Sequence, residues 1–166
     1  MDFQRQTARR LHEEHEAAFD LCARIEQVLT GCGRVFPPPA GDASWSALAR
    51  DLGVRLPQDV AGHFEFEERS LFPLLAGAGE GDIAELLADE HRVIRACADE
   101  VLGLLARAAA GGLDGAAWQT LKVTALELAE RLVAHAQKEE MALLPALDDL
   151  LDETQDRDLL LAYVAA

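Results

Sequence analysis

Positive charge is scarce in this chain. It carries 15 Lys+Arg against 30 Asp+Glu, a formal net charge of −15 over 166 residues. A nucleic-acid binder needs a basic footprint, and this deficit excludes one. An anionic membrane surface is disfavoured for the same electrostatic reason. No apolar run is long enough to span a bilayer. The opening stretch MDFQRQTARR lacks an apolar h-region, so it does not read as a secretory signal. Cysteine is sparse too. Cys22, Cys32 and Cys97 form an odd set at no metal-ligand spacing, which points to a reducing, cytoplasmic compartment.

Strand signals are nearly absent, and β-branched residues are few. What the chain has is alanine and leucine, with half its residues hydrophobic and apolar positions recurring at three- and four-residue steps. That is enough apolar material for one core, and residues 1–166 read as a single domain. Breakers divide the chain into long helical blocks. The first runs over about 3–30 and ends at TGCG, before the loop FPPPAGD. The second covers roughly 44–76, with Ser44 as its N-cap and a kink at Pro57. GAGEGD leads to a third block over roughly 82–110, and GGLDG to a fourth over roughly 115–150. A short tail helix over roughly 154–164 packs across one end. The expected fold is all-α: an up-down-up-down four-helix bundle plus a short C-terminal helix.

The second half echoes the first. HFEFEERSLFP (63–73) realigns on HAQKEEMALLP (135–145), 72 residues later, and EEHE (13–16) realigns on DEHR (89–92), 76 residues later. Two helical hairpins therefore repeat, and the repeated residues are His and His-x-x-x-Glu.

An i,i+4 pair shares one helix face. His63 and Glu67 fall on an apolar stripe with Leu56, Val60 and Leu71. His135 and Glu139 fall on one with Leu128, Leu132 and Leu143. His91 lies with Leu87 and Ile94, and His15 with Leu11 and Cys22. Each helix thus points one histidine inward, and two add a glutamate. Any one of these positions alone reads more readily as a hydrogen-bonded core histidine or a surface ion pair. Six unpaired polar groups in one core are too costly to be structural filler, whereas a metal offsets the cost.

Six N/O donors without thiolate suit iron, manganese or, less well, zinc. Six are too many for a closed zinc site and about right for two ions, which bridging carboxylates hold roughly 3.5–4 Å apart. A mononuclear or zinc protein is the weaker alternative. Ferritin-like sites use Glu-x-x-His. The residues three before these histidines are His12, Val60, Ala88 and Leu132, so that pattern is absent. The stretch HEEHE (12–16) approaches the zinc-protease motif H-E-x-x-H but ends in Glu16.

With this pattern, His15, His63-x-x-x-Glu67, His91 and His135-x-x-x-Glu139, the chain resembles the hemerythrin-like, HHE cation-binding family over about residues 5–148. The resemblance implies a four-helix bundle with a non-haem di-iron centre near one end. It also implies two iron ions held by these six residues, with a bridging oxo or hydroxo group. Oxygen-carrying hemerythrins have HxxxH on the third helix, where this chain has Arg95 four residues after His91. They have HxxxxD on the fourth, where Glu140 has the longer spacing but turns off the face. The fifth histidine is therefore missing or replaced. This speaks against reversible oxygen carriage and for a more open site that takes peroxide, oxygen or nitric oxide.

Around the six, His12 is a candidate extra ligand or hydrogen-bond donor. Glu14 and Glu90 each precede a ligand histidine, beside the inward face. They, with Glu68 and Glu140, are either hydrogen-bond partners of the site or solvated carboxylates. Arg95 is either a salt-bridge partner or a donor near the open position. Cys22 and Cys97 read as buried free thiols. The functional expectation is a metal protein binding a small oxygen species or nitric oxide, with catalase-like peroxide breakdown as seen in relatives of this pattern, or sensing. The alternative is a non-enzymatic iron sensor or store whose fold depends on metal, or an iron donor for iron–sulfur repair. The repair proteins carry an extra cysteine-bearing domain for which this chain has no room.

Overall fold

In the computed structural model, residues 3–33, 37–39 and 41–165 are described. Of the FPPPAGD loop, Phe36 and Ala40 lie outside them. Helix α1 is Gln6–Gly31. Helix α2 is one unbroken helical run over residues 43–77, beginning with Ala43–Leu56 and ending with Phe72–Gly77. Helix α3 is Gly81–Ala109 and α4 is Gly115–Met141. Two shorter helices follow, α5 (Leu143–Leu150) and α6 (Glu153–Val164). No strand occurs among the described residues.

Helix starts and stops follow local chemistry. The N-cap of α2 is Asp42 rather than the expected Ser44: the Asp42 carboxylate accepts from the Trp45 amide at 2.9 Å. A carboxylate caps at least as well as a hydroxyl, and Ser44 is left inside the first turn. Asp114 caps α4 in the same way, accepting from the Ala117 amide. Gly79 (φ 98°) and Gly111 (φ 83°) turn the chain after α2 and α3 in a left-handed conformation open to glycine.

Prolines set the irregularities. Pro57 donates no hydrogen bond and its ring crowds the carbonyl one turn back. The chain does not break there; it widens into a π-helical segment, Pro57–His63. A second wide segment, Glu67–Leu71, precedes Pro73. At the repeat-related Pro145 the outcome differs. The expected helix over 115–150 is interrupted at Ala142 (φ −123°, ψ −56°), so α4 ends at Met141 and α5 starts anew. The ring of Pro145 crowds the carbonyl of Met141, four residues back.

Long helices close into a ring, with α1 against α2 and α4, and α3 against α2 and α4. Two apolar clusters fill it. The larger holds Leu21, Ile25, Leu52, Ile94, Trp118 and Leu128; the smaller holds Leu11, Leu71, Leu75, Leu87, Leu143 and Leu147. Along α1 and α3 the chain meets the smaller cluster, then a histidine, then the larger. Along α2, and along α4 into α5, the order is reversed. This alternation is the up-down-up-down topology, and it places one polar layer, nearer one end, between two apolar ones. The helices bury their stripes for the transfer free energy of their leucines, about 25 cal/mol per Å².

The tail is tied down. The Asp148 carboxylate accepts from the Gln4 and Arg5 amides, both at 2.8 Å, and the Asp156 carboxylate from the Gln6 and Thr7 amides at 2.8 and 2.9 Å. The Arg5, Gln6 and Thr7 amides are among those that the start of α1 leaves without intrahelical partners. The structure thus caps α1 from α5 and α6.

Candidate metal centre

His15, His63, His91 and His135 come from α1, α2, α3 and α4 in turn, and Glu67 and Glu139 from α2 and α4. All six are buried in the polar layer, the two carboxylates fully. They form two groups of four. One is His15, His63, Glu67 and Glu139; the other is His91, His135, Glu67 and Glu139. Within each group the donor atoms lie within 4.8 Å of one another. Both glutamates belong to both groups. Glu67 turns Oε1 to His63 Nε2 (3.1 Å) and Oε2 to His91 Nε2 (3.4 Å). Glu139 turns Oε2 to His15 Nε2 (3.2 Å) and Oε1 to His135 Nε2 (3.0 Å).

Each histidine is held from behind by a carboxylate. Nδ1 of His15 donates to Glu140 (2.7 Å), of His63 to Glu14 (2.8 Å), of His91 to Glu68 (2.8 Å) and of His135 to Glu90 (3.0 Å). These bonds fix the tautomer, so every Nε2 faces inward. The outer carboxylates are braced in turn. Glu14 takes Arg10 Nε at 2.8 Å, Glu68 takes Arg95 at 2.7 Å, and Glu90 takes Lys138 at 2.6 Å. Arg95 is therefore a salt-bridge partner of Glu68. His12 also lies outside the two groups: its Nδ1 reaches both oxygens of Glu140 at 2.9 Å.

The inner atoms are short of partners. His15 Nε2 and all four oxygens of Glu67 and Glu139 are buried without a well-formed hydrogen bond. Nε2 of His91 and of His135 face each other at 2.9 Å. With both Nδ1 atoms donating outward, two neutral imidazoles would point lone pairs at each other. Such a centre needs a cation, either protons or a metal. Two ligand atoms about 2.1 Å from one ion and at right angles lie about 3.0 Å apart, and the observed separations of 2.9–3.4 Å match that edge. The donor set fits a metal.

Without one, protons fill the role. Burial pushes the His15 and His91 imidazoles down, but the facing Glu139 and Glu67 carboxylates outweigh it. His15 ends above its ordinary value and His91 at about 9. His63 is raised well above its ordinary value, again because Glu67 and Glu14 overcome burial. Burial pushes Glu139 up, yet the His135, His15 and His91 imidazoles that face it hold it well below the usual carboxylate range. A cation taken up here displaces those protons.

Aromatic rings close the layer. Phe64 stacks on His91 with centroids 3.7 Å apart and packs its edge against His135 at 5.4 Å. Tyr163, on α6, donates its hydroxyl to Glu14 at 2.6 Å and stacks on Phe66 at 4.2 Å. Neither Phe64 nor Tyr163 is marked by the internal repeat. Phe64 aligns with Ala136, and Tyr163 lies beyond the repeated units. Tyr163 is the chain's one tyrosine, a faint signal at best.

Cys22 is a buried free thiol, pushed up to about 12 by burial. Cys97, expected to be buried, is only half-buried, and it too is free.

On the α1–α2–α4 side, a cavity of about 700 Å³ reaches His15, His63, His135 and Glu139, with Tyr163 in its wall. Among the described residues no helix is long and apolar enough to cross a membrane.

Residues 6–147 match the family model of the hemerythrin HHE cation binding domain. No curated protein matches the chain. The match covers most of the chain, and the helical bundle with its two His/Glu groups agrees with it: the chain belongs to the hemerythrin HHE cation-binding family.

Proposed function

We propose that this chain is a single-domain, non-haem di-iron protein of the reducing cytoplasm, and that it binds oxygen, peroxide or nitric oxide at a partly open centre. In this reading His15 and His63 would hold one ion, His91 and His135 the other, and Glu67 and Glu139 would serve both. The observation that carries it is the pair of four-donor groups sharing both carboxylates, whose oxygens have no other partner. Four donors per ion fall short of the six that iron commonly takes, which leaves positions for exogenous ligands. All donors are imidazole or carboxylate, a set that suits iron or manganese better than copper or a structural zinc.

Bound iron would supply redox and Lewis-acid chemistry. The chain supplies the rest. Glu14, Glu68, Glu90 and Glu140 orient the imidazoles and raise their basicity. Phe64 and the larger apolar cluster cover the His91 imidazole. The cavity admits a ligand on the His15–His63 side. The test is to load the protein with iron, oxidise it and record the absorption spectrum before and after adding peroxide or nitric oxide. Oxo-bridged ferric bands that respond to the added ligand are expected. Bands that ignore both ligands would sink the open-site reading.

One observation favours a second reading, an iron sensor or store. The polar layer separates two apolar clusters, so the metal would join the halves of the core. Peroxide turnover by the loaded protein selects the first reading. No turnover, with a large loss of helicity on chelation, selects the second.

A further inference from the structure

The cavity at the His15–His63 side is far larger than a diatomic ligand or peroxide needs. It measures about 700 Å³, against about 30 Å³ for one water in the liquid. It falls inside the range of about 300–1,000 Å³ that holds organic ligands. Its floor is polar, and its walls set apolar side chains beside Gln6, Gln58 and the Tyr163 hydroxyl. His15, Glu139 and His63 form the floor, where His15 Nε2 and the Glu139 oxygens are buried without partners. The apolar part of the wall is Ala18, Phe64, Leu132, Ala136, Leu160 and Val164, drawn from α1, α2, α4 and α6.

Charge at the mouth narrows the ligand. Arg9 already donates to the carbonyls of Phe3 and Gln4, and Arg10 to Glu14. Glu13 and Glu14 stand beside them in the lining. The mouth is thus locally compensated and has no guanidinium set aside for an anion. A partly apolar wall of this size, a polar floor and a neutral mouth select a neutral molecule with one small oxygen-bearing group at its end.

We propose that this cavity binds a small apolar organic molecule carrying a single terminal hydroxyl or hydroperoxyl group, its oxygen toward the His15–His63 floor and its hydrocarbon body against Leu132, Leu160 and Ala18. The choice of head group rests on the metal-centre reading; the apolar body rests on the cavity alone. Helix α6 is part of the site in this account, since Leu160, Tyr163 and Val164 form one wall.

The test is calorimetric titration of the purified protein, as isolated and after metal removal, with 2-phenyl-2-propanol, the stable alcohol of an aryl hydroperoxide. Isopropylbenzene, which has the same body without the oxygen, is the comparison. Saturable one-site binding of the alcohol is expected, about ten-fold tighter than the hydrocarbon. Leu160→Trp and Ala18→Leu, which fill the cavity from two different helices, should each weaken it at least ten-fold. Val123→Trp, on the exposed outer face of α4, should leave it unchanged. No binding, or binding that ignores both filling variants, overturns the proposal. Equal affinity for the hydrocarbon overturns the oxygen-directed orientation. Metal content is read separately, so two irons without ligand binding would sink this proposal alone, and ligand binding without two irons would sink the di-iron reading alone.

Discussion

At the scale of single residues, the centre is built as paired roles. An inner histidine offers Nε2, and an outer glutamate holds its Nδ1. If the proposed centre is right, removing an inner donor removes a ligand. His63→Ala and Glu139→Ala should each lower the bound metal measured by elemental analysis, while circular dichroism still reports a helical chain. Removing an outer partner leaves all six donors but loosens one of them. Glu140→Ala should therefore weaken metal affinity by about 10–100-fold in a chelator competition, with the number of ions at saturation unchanged. An effect as large as that of His63→Ala would mean that Glu140 itself is a ligand. The inner set was legible in the sequence because it repeats: His15 with His91, and His63/Glu67 with His135/Glu139. The outer partners were legible only as neighbours of that set. Sequence spacing cannot say that Glu14 on α1 serves His63 on α2, because that pairing is made by helix packing.

Elements carry the next level. Four long helices were readable from their apolar period and their Gly/Pro breakers; the limits of the first three shift by a few residues, while the fourth ends at Met141 and a separate helix follows. The two wide segments of α2 were not readable. Proline disfavours an ordinary turn, but whether the helix breaks or widens depends on what packs around it. The tail helix, expected to pack across one end, is anchored by hydrogen bonds. Asp156, on α6, binds two amides at the start of α1. Burial pushes its carboxyl up, but these amides outweigh it and hold it below the ordinary 3.8. Asp156→Ala should cost about 1–2 kcal/mol in thermal or denaturant unfolding at neutral pH. A group with a lowered folded-state pKa stabilises above its unfolded value and loses that contribution as pH falls through the folded one. The difference between wild type and Asp156→Ala should thus be full near neutrality and shrink below about pH 3.8. A difference independent of pH would assign the loss to packing.

For the whole molecule, the polar layer is a seam. It joins a larger apolar cluster around Trp118 and Leu128 to a smaller one around Leu11 and Leu147. His15 Nε2 and the four oxygens of Glu67 and Glu139 lie there without a well-formed hydrogen bond, and a cation among them satisfies them. Metal that binds the folded chain and not the unfolded one stabilises by mass action, about 4 kcal/mol at a thousandfold excess over Kd. At this size that is roughly ten degrees in Tm, so thorough chelation should lower the melting temperature by about that much. The net charge of −15 adds general self-repulsion to the metal-free state, since incoming cations are lost with it.

The central claim is that one chain holds two irons in two four-donor groups that share Glu67 and Glu139. Elemental analysis of iron-reconstituted, desalted protein against its measured concentration tests it most directly. The account predicts about two irons per chain, falling in parallel when Glu67 or Glu139 is replaced by Ala. One iron per chain, or zinc in its place, would contradict it.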